Sequence, residues 1–159
     1  MNDAARRATI EDLDRIVALE YECHSELEPM RGGALWAVRE ARPEPYREQF
    51  ATLVDNDGAC VVVGTIDDYV VGFGVVELEG LRDGTTLGRV TELFVEPDAR
   101  SVGIGEAIMV ELVAFCEACG CIGMDALALP GHRATKNFFE AGGFTARALV
   151  MHRPRGGRP

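Results

Sequence analysis

The residues of this chain best suited to chemistry lie in one run, Thr91-Glu-Leu-Phe-Val-Glu-Pro-Asp-Ala-Arg-Ser-Val-Gly-Ile-Gly-Glu106. A strand-like stretch enters a turn holding Gly103 and Gly105, and a helical pattern follows at once. Bare N–H groups at a helix start, at the positive end of its dipole, bind phosphate oxygens. Gly103 and Gly105 let the backbone come close to such an anion. Arg100 is placed to add a charge-assisted contact. The dinucleotide fingerprint Gly-x-Gly-x-x-Gly is incomplete, because its third glycine falls on Ile108. The Gly-Lys-Ser/Thr of a nucleoside-triphosphate loop is absent. Spacing alone leaves two readings open: an anion-binding loop, or a tight turn relieved by glycine with no ligand.

Cys116, Cys119 and Cys121 raise the question of a metal. A structural zinc site needs four ligands, usually as two separated pairs. No second pair exists, and His132 and His152 stand singly, so these cysteines read as small hydrophobes on a helix and no metal is expected. Five cysteines is an odd count, and no apolar signal-like segment follows Met1, which points to a reducing cytoplasm. Sixteen basic against 26 acidic residues leave a net charge of −10. Such a surface repels phosphate backbones and argues against nucleic acid, while it attracts cationic amines. Uncharged stretches such as 69–76 fall far short of the roughly 20 apolar residues of a membrane span.

The 159 residues suit one domain, at about 150 residues each. We place it at residues 1–152, with 153–159 as a basic tail. Residues 6–8 suggest a short first strand, and Thr9 caps a helix whose apolar stripe includes Leu13, Ile16, Val17 and the run Leu19-Glu20-Tyr21, to about residue 26. Helices are expected at 34–41 and 45–54. Strands follow at 60–66, 69–78 and 89–95, with Asp67-Asp68 as a tight hairpin turn. A helix opens after Gly105, a fifth strand covers 122–129, and a short helix covers 135–141. Residues 144–152 offer one or two closing strands. The expectation is a mixed α+β fold with helices covering a largely antiparallel sheet.

At this point the chain resembles a known family. Leu93-Phe-Val-x-Pro followed by Arg100-x-x-Gly103-x-Gly105 is similar to the acetyl-CoA signature of the GCN5-related N-acetyltransferases, the GNAT superfamily. Arg7-Ala8-Thr9-Ile-Glu-Asp-Leu13 resembles its opening strand and helix, and Asp68-Tyr-Val-Val-Gly72-Phe its central hairpin. Asn137-Phe-Phe139-Glu-x-x-Gly143-Phe144 resembles its C-terminal motif. The resemblance implies a six- to seven-stranded mixed sheet splayed between the fourth and fifth strands, with CoA in the gap. Backbone of Phe94 and Val95 would pair with the pantetheine arm like an added strand. The loop of Arg100, Ser101, Val102, Gly103, Ile104, Gly105 and Glu106 would hold the pyrophosphate, and the Val95 N–H would polarise the thioester carbonyl.

The implied reaction is direct attack of a primary amine, on a small molecule or peptide, on the acetyl thioester in a ternary complex. Amines are largely protonated at neutral pH, so a base must act. Several relatives use a glutamate on the fourth strand, and Glu92 is the only acid within this one. Alternation puts it on the face of Phe94, unless a bulge changes the parity. Glu77, Glu79, Glu28 and His24 are lesser candidates. The family's usual tyrosine acid is Phe139 here, which has no proton to donate, and its frequent asparagine is His132, which can bind pantetheine or donate a proton. Arg133, Lys136 and Asn137 lie beside it, available to CoA phosphates or to an anionic part of the acceptor or else forming a solvated face, and Trp36 and Tyr46 are either core or lining of the acceptor pocket. Two alternatives stay open, a non-catalytic acyl-CoA sensor and a transferase with another acyl chain or acceptor. The family often dimerises through its C-terminal strands, and Ala148-Leu-Val-Met151 is compatible with a homodimer.

Overall fold

The computed structural model describes residues 3–157. Strand β1 (Asp3–Arg7) leads to Thr9, which caps the next turn as its side chain predicts. The Thr9 hydroxyl accepts from the Glu11 N–H at 3.3 Å, and Asp12 accepts from the Thr9 N–H at 2.8 Å. Arg6 clamps the same Asp12 carboxylate with two bonds of 2.8 and 2.9 Å, which ties the strand to the helix start. Helix α1 (Leu13–Leu27) then buries Leu13, Ile16, Leu19, Glu20 and Cys23 along one side. Helices α2 (Gly33–Arg39) and α3 (Tyr46–Val54) complete this layer.

Strands β2 (Ala59–Ile66) and β3 (Tyr69–Gly80) form the hairpin, joined by Asp67 and Asp68 at φ 48° and 68°. Two central residues at positive φ match the right-handed twist of the flanking strands. Strand β4 (Thr86–Val95), helix α4 (Ile104–Ala118), strand β5 (Met124–Ala126) and helix α5 (Arg133–Ala141) follow. The sheet order is β1-β2-β3-β4-β5, antiparallel except for the parallel β4–β5 pair. One face packs on α1 and α3 through Ile16, Leu19, Phe50, Phe73 and Val75. The other packs on α4 and α5 through Val62, Val76, Ile108, Leu112 and Phe139.

The mixed α+β class and the flanking helices are as expected, but the described residues form five strands rather than six or seven. The first strand lies earlier, β4 begins earlier, and β5 has three residues where 122–129 was expected. Residues 144–152 form no strand. A neighbour of three residues offers too short a ladder to hold them, and Leu149, Val150 and Met151 are 82–87% exposed. Among the described residues no helix is long and apolar enough to cross a membrane.

Two features of β4 position the site. Val75 pairs with Glu92 and Val76 with Val90, so Thr91 is an extra residue, a β-bulge. Pairing with β5 covers only Gly88 to Val90, whereas β4 runs on to Val95. The sheet therefore parts between its fourth and fifth strands over the last residues of β4.

Ile108 is fully buried between α4 and the sheet, whereas Val110 on the same helix is two-thirds exposed. Ile108→Ala should lower the unfolding free energy by about 2–5 kcal/mol. Val110→Ala should stay within about 0.5 kcal/mol. Urea unfolding of both variants measures the contrast.

Candidate active site

The open end of β4 and the start of α4 form one side of the site. Glu96 N–H donates to Val71 O at 2.8 Å, and antiparallel ladders turn alternate residues toward the neighbour. The main chain of Phe94 therefore faces β3, and that of Val95 faces the gap. The Val95 carbonyl accepts from Arg100 Nε at 2.8 Å. Gly103 caps α4 at φ +92°, a conformation that favours glycine, and no side chain caps the helix. The N–H groups of Ile104, Gly105 and Glu106 thus point out of the helix end without a capping side chain. Ser101 also has positive φ, at 69°, and with Val102, Gly103 and Glu106 it is exposed.

Several expected contacts take a different form. Arg100 reaches Glu26 at 2.9 Å and lies over the Phe94 ring, so its guanidinium faces α1 and β4. The side chain of Ile104 is buried in the core, leaving only its backbone to the loop. A Cβ on Gly105 would come within 3.1 Å of Phe138, so this glycine also lets α5 approach α4. Asn137 is exposed on α5, and Phe139 is buried between Phe138 and Phe144. His132 stands at the N-terminus of α5, its Nδ1 2.8 Å from the Thr135 hydroxyl.

Across β4, on the face of α1, lies a cleft of about 470 Å³ lined by Tyr21, Glu22, Ser25, Glu26, Phe94 and Pro97. The bulge leaves Glu92 on the face of Phe94, as alternation from residue 92 onward predicts, while Val90 turns into the α4 core. Glu92 is buried and held by Arg42, whose Nε donates to Oε2 at 2.5 Å and whose Nη2 donates to Oε1 at 2.7 Å. Nη2 of Arg42 also reaches Glu77 at 3.0 Å and the Thr91 hydroxyl at 3.3 Å. Burial alone would raise the Glu92 carboxyl, but Arg42 and a hydrogen bond from Glu20 bring it below the ordinary carboxylate range.

Glu20 is 1% exposed. Its Oε1 lies 2.9 Å from His24 Nε2, and His24 Nδ1 lies 3.2 Å from the Tyr46 hydroxyl. Burial, and then the charge of Glu92, push Glu20 up to about 10. Burial lowers His24, and it raises Tyr46 to about 12. At neutral pH Glu20 is thus a neutral acid and His24 a neutral imidazole. Trp36 lies against His24 with the rings tilted by 57° and their centroids 5.1 Å apart. Sequence reading missed Glu20 and Arg42. Glu20 carried a signal, an acid in the buried stripe of α1, whereas Arg42 sits in a loop and carried none. Among the described residues no cluster of three or more His, Cys, Asp or Glu side chains is arranged to hold a metal.

This fold is that of an acetyltransferase family. Residues 13–144 match the profile described as the Acetyltransferase (GNAT) family, and the chain belongs to it. A curated relative, an uncharacterized N-acetyltransferase of Archaeoglobus fulgidus, is 29% identical over 112 residues, 69% of this chain and 71% of its own. The fold is similar to that of AAC(6')-Iy, solved with the bisubstrate analog CoA-S-monomethyl-acetylneamine, with a TM-score of 0.75 and 16% identity over 98% of this chain and 99% of that one. It is also similar to glucosamine-6-phosphate N-acetyltransferase from Arabidopsis thaliana, with a TM-score of 0.68 and 19% identity over 97% and 99%.

The Glu20 proton has a thermodynamic signature. Between the ordinary glutamate range and about 10, the native protein holds a proton that the unfolded chain has released, so this group's contribution to stability falls as pH rises. Glu20→Gln removes the titration, so the variant should gain on the wild type steadily from pH 5 to pH 9, as read by chemical denaturation at each pH. In the opposite sense, Glu92 contributes stability above its unfolded pKa that is lost on acidification. Arg42→Met strands the Glu92 carboxylate without its cation and should lower stability at neutral pH by about 3–5 kcal/mol.

Proposed function

We propose that this acetyltransferase moves the acetyl group of acetyl-CoA to a primary amine of a small molecule or peptide, by direct attack in a ternary complex. The observation that carries the reading is the adjacency of two donor sets. The unpaired edge of β4 at Val95 meets the uncapped start of α4 where the sheet parts. An extended pantetheine arm pairs with that edge through Val95, not through Phe94 as the sequence suggests, because the main chain of Phe94 is turned to β3; the pyrophosphate rests on the amides from Ser101 to Glu106. The Val95 N–H polarises the thioester carbonyl, and positioning two reactants in line supplies much of the acceleration. Asn137 on α5 is available to the CoA phosphates, and the buried Phe139 ring supports the α5 wall beside the gap.

The acceptor approaches through the cleft lined by Tyr21, Glu22 and Glu26, whose carboxylates favour a cationic amine. Glu92 is the base of this reading, and His132, at the start of α5, is the imidazole that returns a proton to the departing thiolate. AAC(6')-Iy, whose bisubstrate complex joins CoA to an acceptor, is the precedent on this fold for both reactants sharing one site. The five free cysteines suit a reducing cytoplasm. The buried Phe139, which has no acidic proton, favours a second reading, an acyl-CoA sensor that does not turn over.

A thiol-release assay separates the two. The transferase releases CoA only when acetyl-CoA and an amine are both present. The sensor binds acetyl-CoA and releases none across a panel of amines, aminoglycosides and peptides. Gly103→Val forces a branched residue to φ +92° and sets its side chain in the open space before the helix start, so CoA affinity by calorimetry should fall at least tenfold with the fold retained. Unchanged affinity would show that the pyrophosphate binds elsewhere.

A further inference from the structure

The mechanism above leaves Glu92 enclosed by Arg42, Thr91 and the sheet, with no open path to an acceptor in the cleft. On its protein side, however, Glu92 is the end of a chain of polar side chains. Tyr46 lies 3.2 Å from His24 Nδ1, and His24 Nε2 lies 2.9 Å from Glu20 Oε1. Glu20 Oε2 is fully buried, and no protein donor reaches it. The Glu20 and Glu92 carboxyl groups themselves are within hydrogen-bonding reach of each other. A buried carboxylate oxygen with no donor is costly, whereas a protonated one donates. One arrangement satisfies every group: Tyr46 O–H donates to His24 Nδ1, His24 Nε2–H to Glu20 Oε1, and Glu20 Oε2–H to Glu92. All donors then point the same way, from the Tyr46 end toward Glu92. The Tyr46 end lies one ring behind the cleft: Tyr46 packs edge-on against Tyr21 at 4.8 Å, and Tyr21 lines the cleft.

Resting on the acetyltransferase reading, we propose that Tyr46, His24 and Glu20 form a side-chain relay that carries the proton released by the acceptor amine inward to Glu92. The steps balance. The amine N–H bond breaks as the Tyr46 oxygen takes the proton, the Tyr46 proton passes to His24 Nδ1, and the His24 Nε2 proton passes to Glu20 Oε1. The Glu20 Oε2 proton passes to Glu92, which ends protonated. The reverse passage returns the proton to solvent or to the departing thiolate and restores the starting pattern. Charge acts both ways, since Arg42 holds Glu92 as the carboxylate while the neighbouring carboxylates attract a proton. With Glu20 neutral, Arg42, Glu92 and Glu77 carry one net negative charge, which the incoming proton cancels. Glu28 and Glu44 act on His24 in the same sense. Arg42 acts on Glu20 in the opposite sense, and the Cys23 thiol beside Glu20 is itself held neutral by burial. Glu20 is a positioning residue in this scheme, since it acts through Glu92.

Glu20→Gln keeps both hydrogen bonds, amide to Glu92 and carbonyl from His24, but an amide does not pass a proton on. The test compares kcat/KM for a strongly basic primary amine and for one of low basicity, already unprotonated at neutral pH. Glu20→Gln should lower kcat/KM at least tenfold for the first and under threefold for the second, with acetyl-CoA affinity unchanged. Tyr46→Phe cuts the relay at its far end and should show the same contrast, which keeps the test open should the first variant fail to fold. Infrared spectra of the wild type at neutral pH should show a buried carboxylic-acid carbonyl that Glu20→Gln removes. Equal losses for both amines, or no such band, overturn the relay while a wild type that turns over leaves the transferase reading intact. A wild type that releases no CoA with any amine overturns that reading and the relay with it.

Discussion

One extra residue in β4 governs what this strand offers on its faces and its edge. With Thr91 unpaired, Val90 turns into the α4 core, while Glu92 and Phe94 turn toward α1 and α3. Had the strand kept strict alternation from Val90, the Glu92 carboxylate would have faced Ile108 and Leu112, with no cation in reach. A carboxylate there would be lost as a charge, or the strand would not form. The bulge lets one strand feed two cores and still bring an acid to Arg42. Bulges also bend and twist a strand, and β4 leaves β5 immediately before this one, after Val90. The parting of the sheet and the burial of Glu92 thus share one local cause.

Much of this was legible in the residues, for local reasons. The Thr9 cap, the Asp67-Asp68 hairpin and the Gly103 turn are each set by side chains within a few positions, and the structure places all three as expected. Glu20 was legible as an anomaly, an acid four residues after Ile16 and three before Cys23 on a stripe that must be buried. Arg42 was not, because its partners are 35 and 50 residues away in sequence and only the sheet brings them together. The bulge was foreseeable as a possibility and not as a place, since one inserted residue leaves no mark in a strand whose neighbours are all β-formers. The strands expected over 144–152 show the converse limit. Their pattern suits a strand, but β5 is too short to pair with one, and Arg147 on Asp125 is a side-chain tie to it.

The enclosed cluster is hard to explain as a source of stability. Replacing buried ion pairs by apolar residues of similar volume is often neutral or stabilising, and leucine is the natural occupant of the α1 stripe at position 20. What apolar residues cannot do is hold a proton. Glu92 takes the forked guanidinium of Arg42, and Glu20, buried beside Glu92 without a cation bonded to it, stays protonated. That gives a neutral donor beside a charged acceptor in a dry place, where neither is screened by solvent. Position then matters. β4 presents the Val95 amide at its open edge and Glu92 on its face three residues earlier, while α1 presents Glu22 and Glu26 to the cleft and Glu20 to the core. On the proposed reading, activation of an acyl donor and disposal of an acceptor's proton share β4 and α1, with Tyr46 of α3 at the outer end.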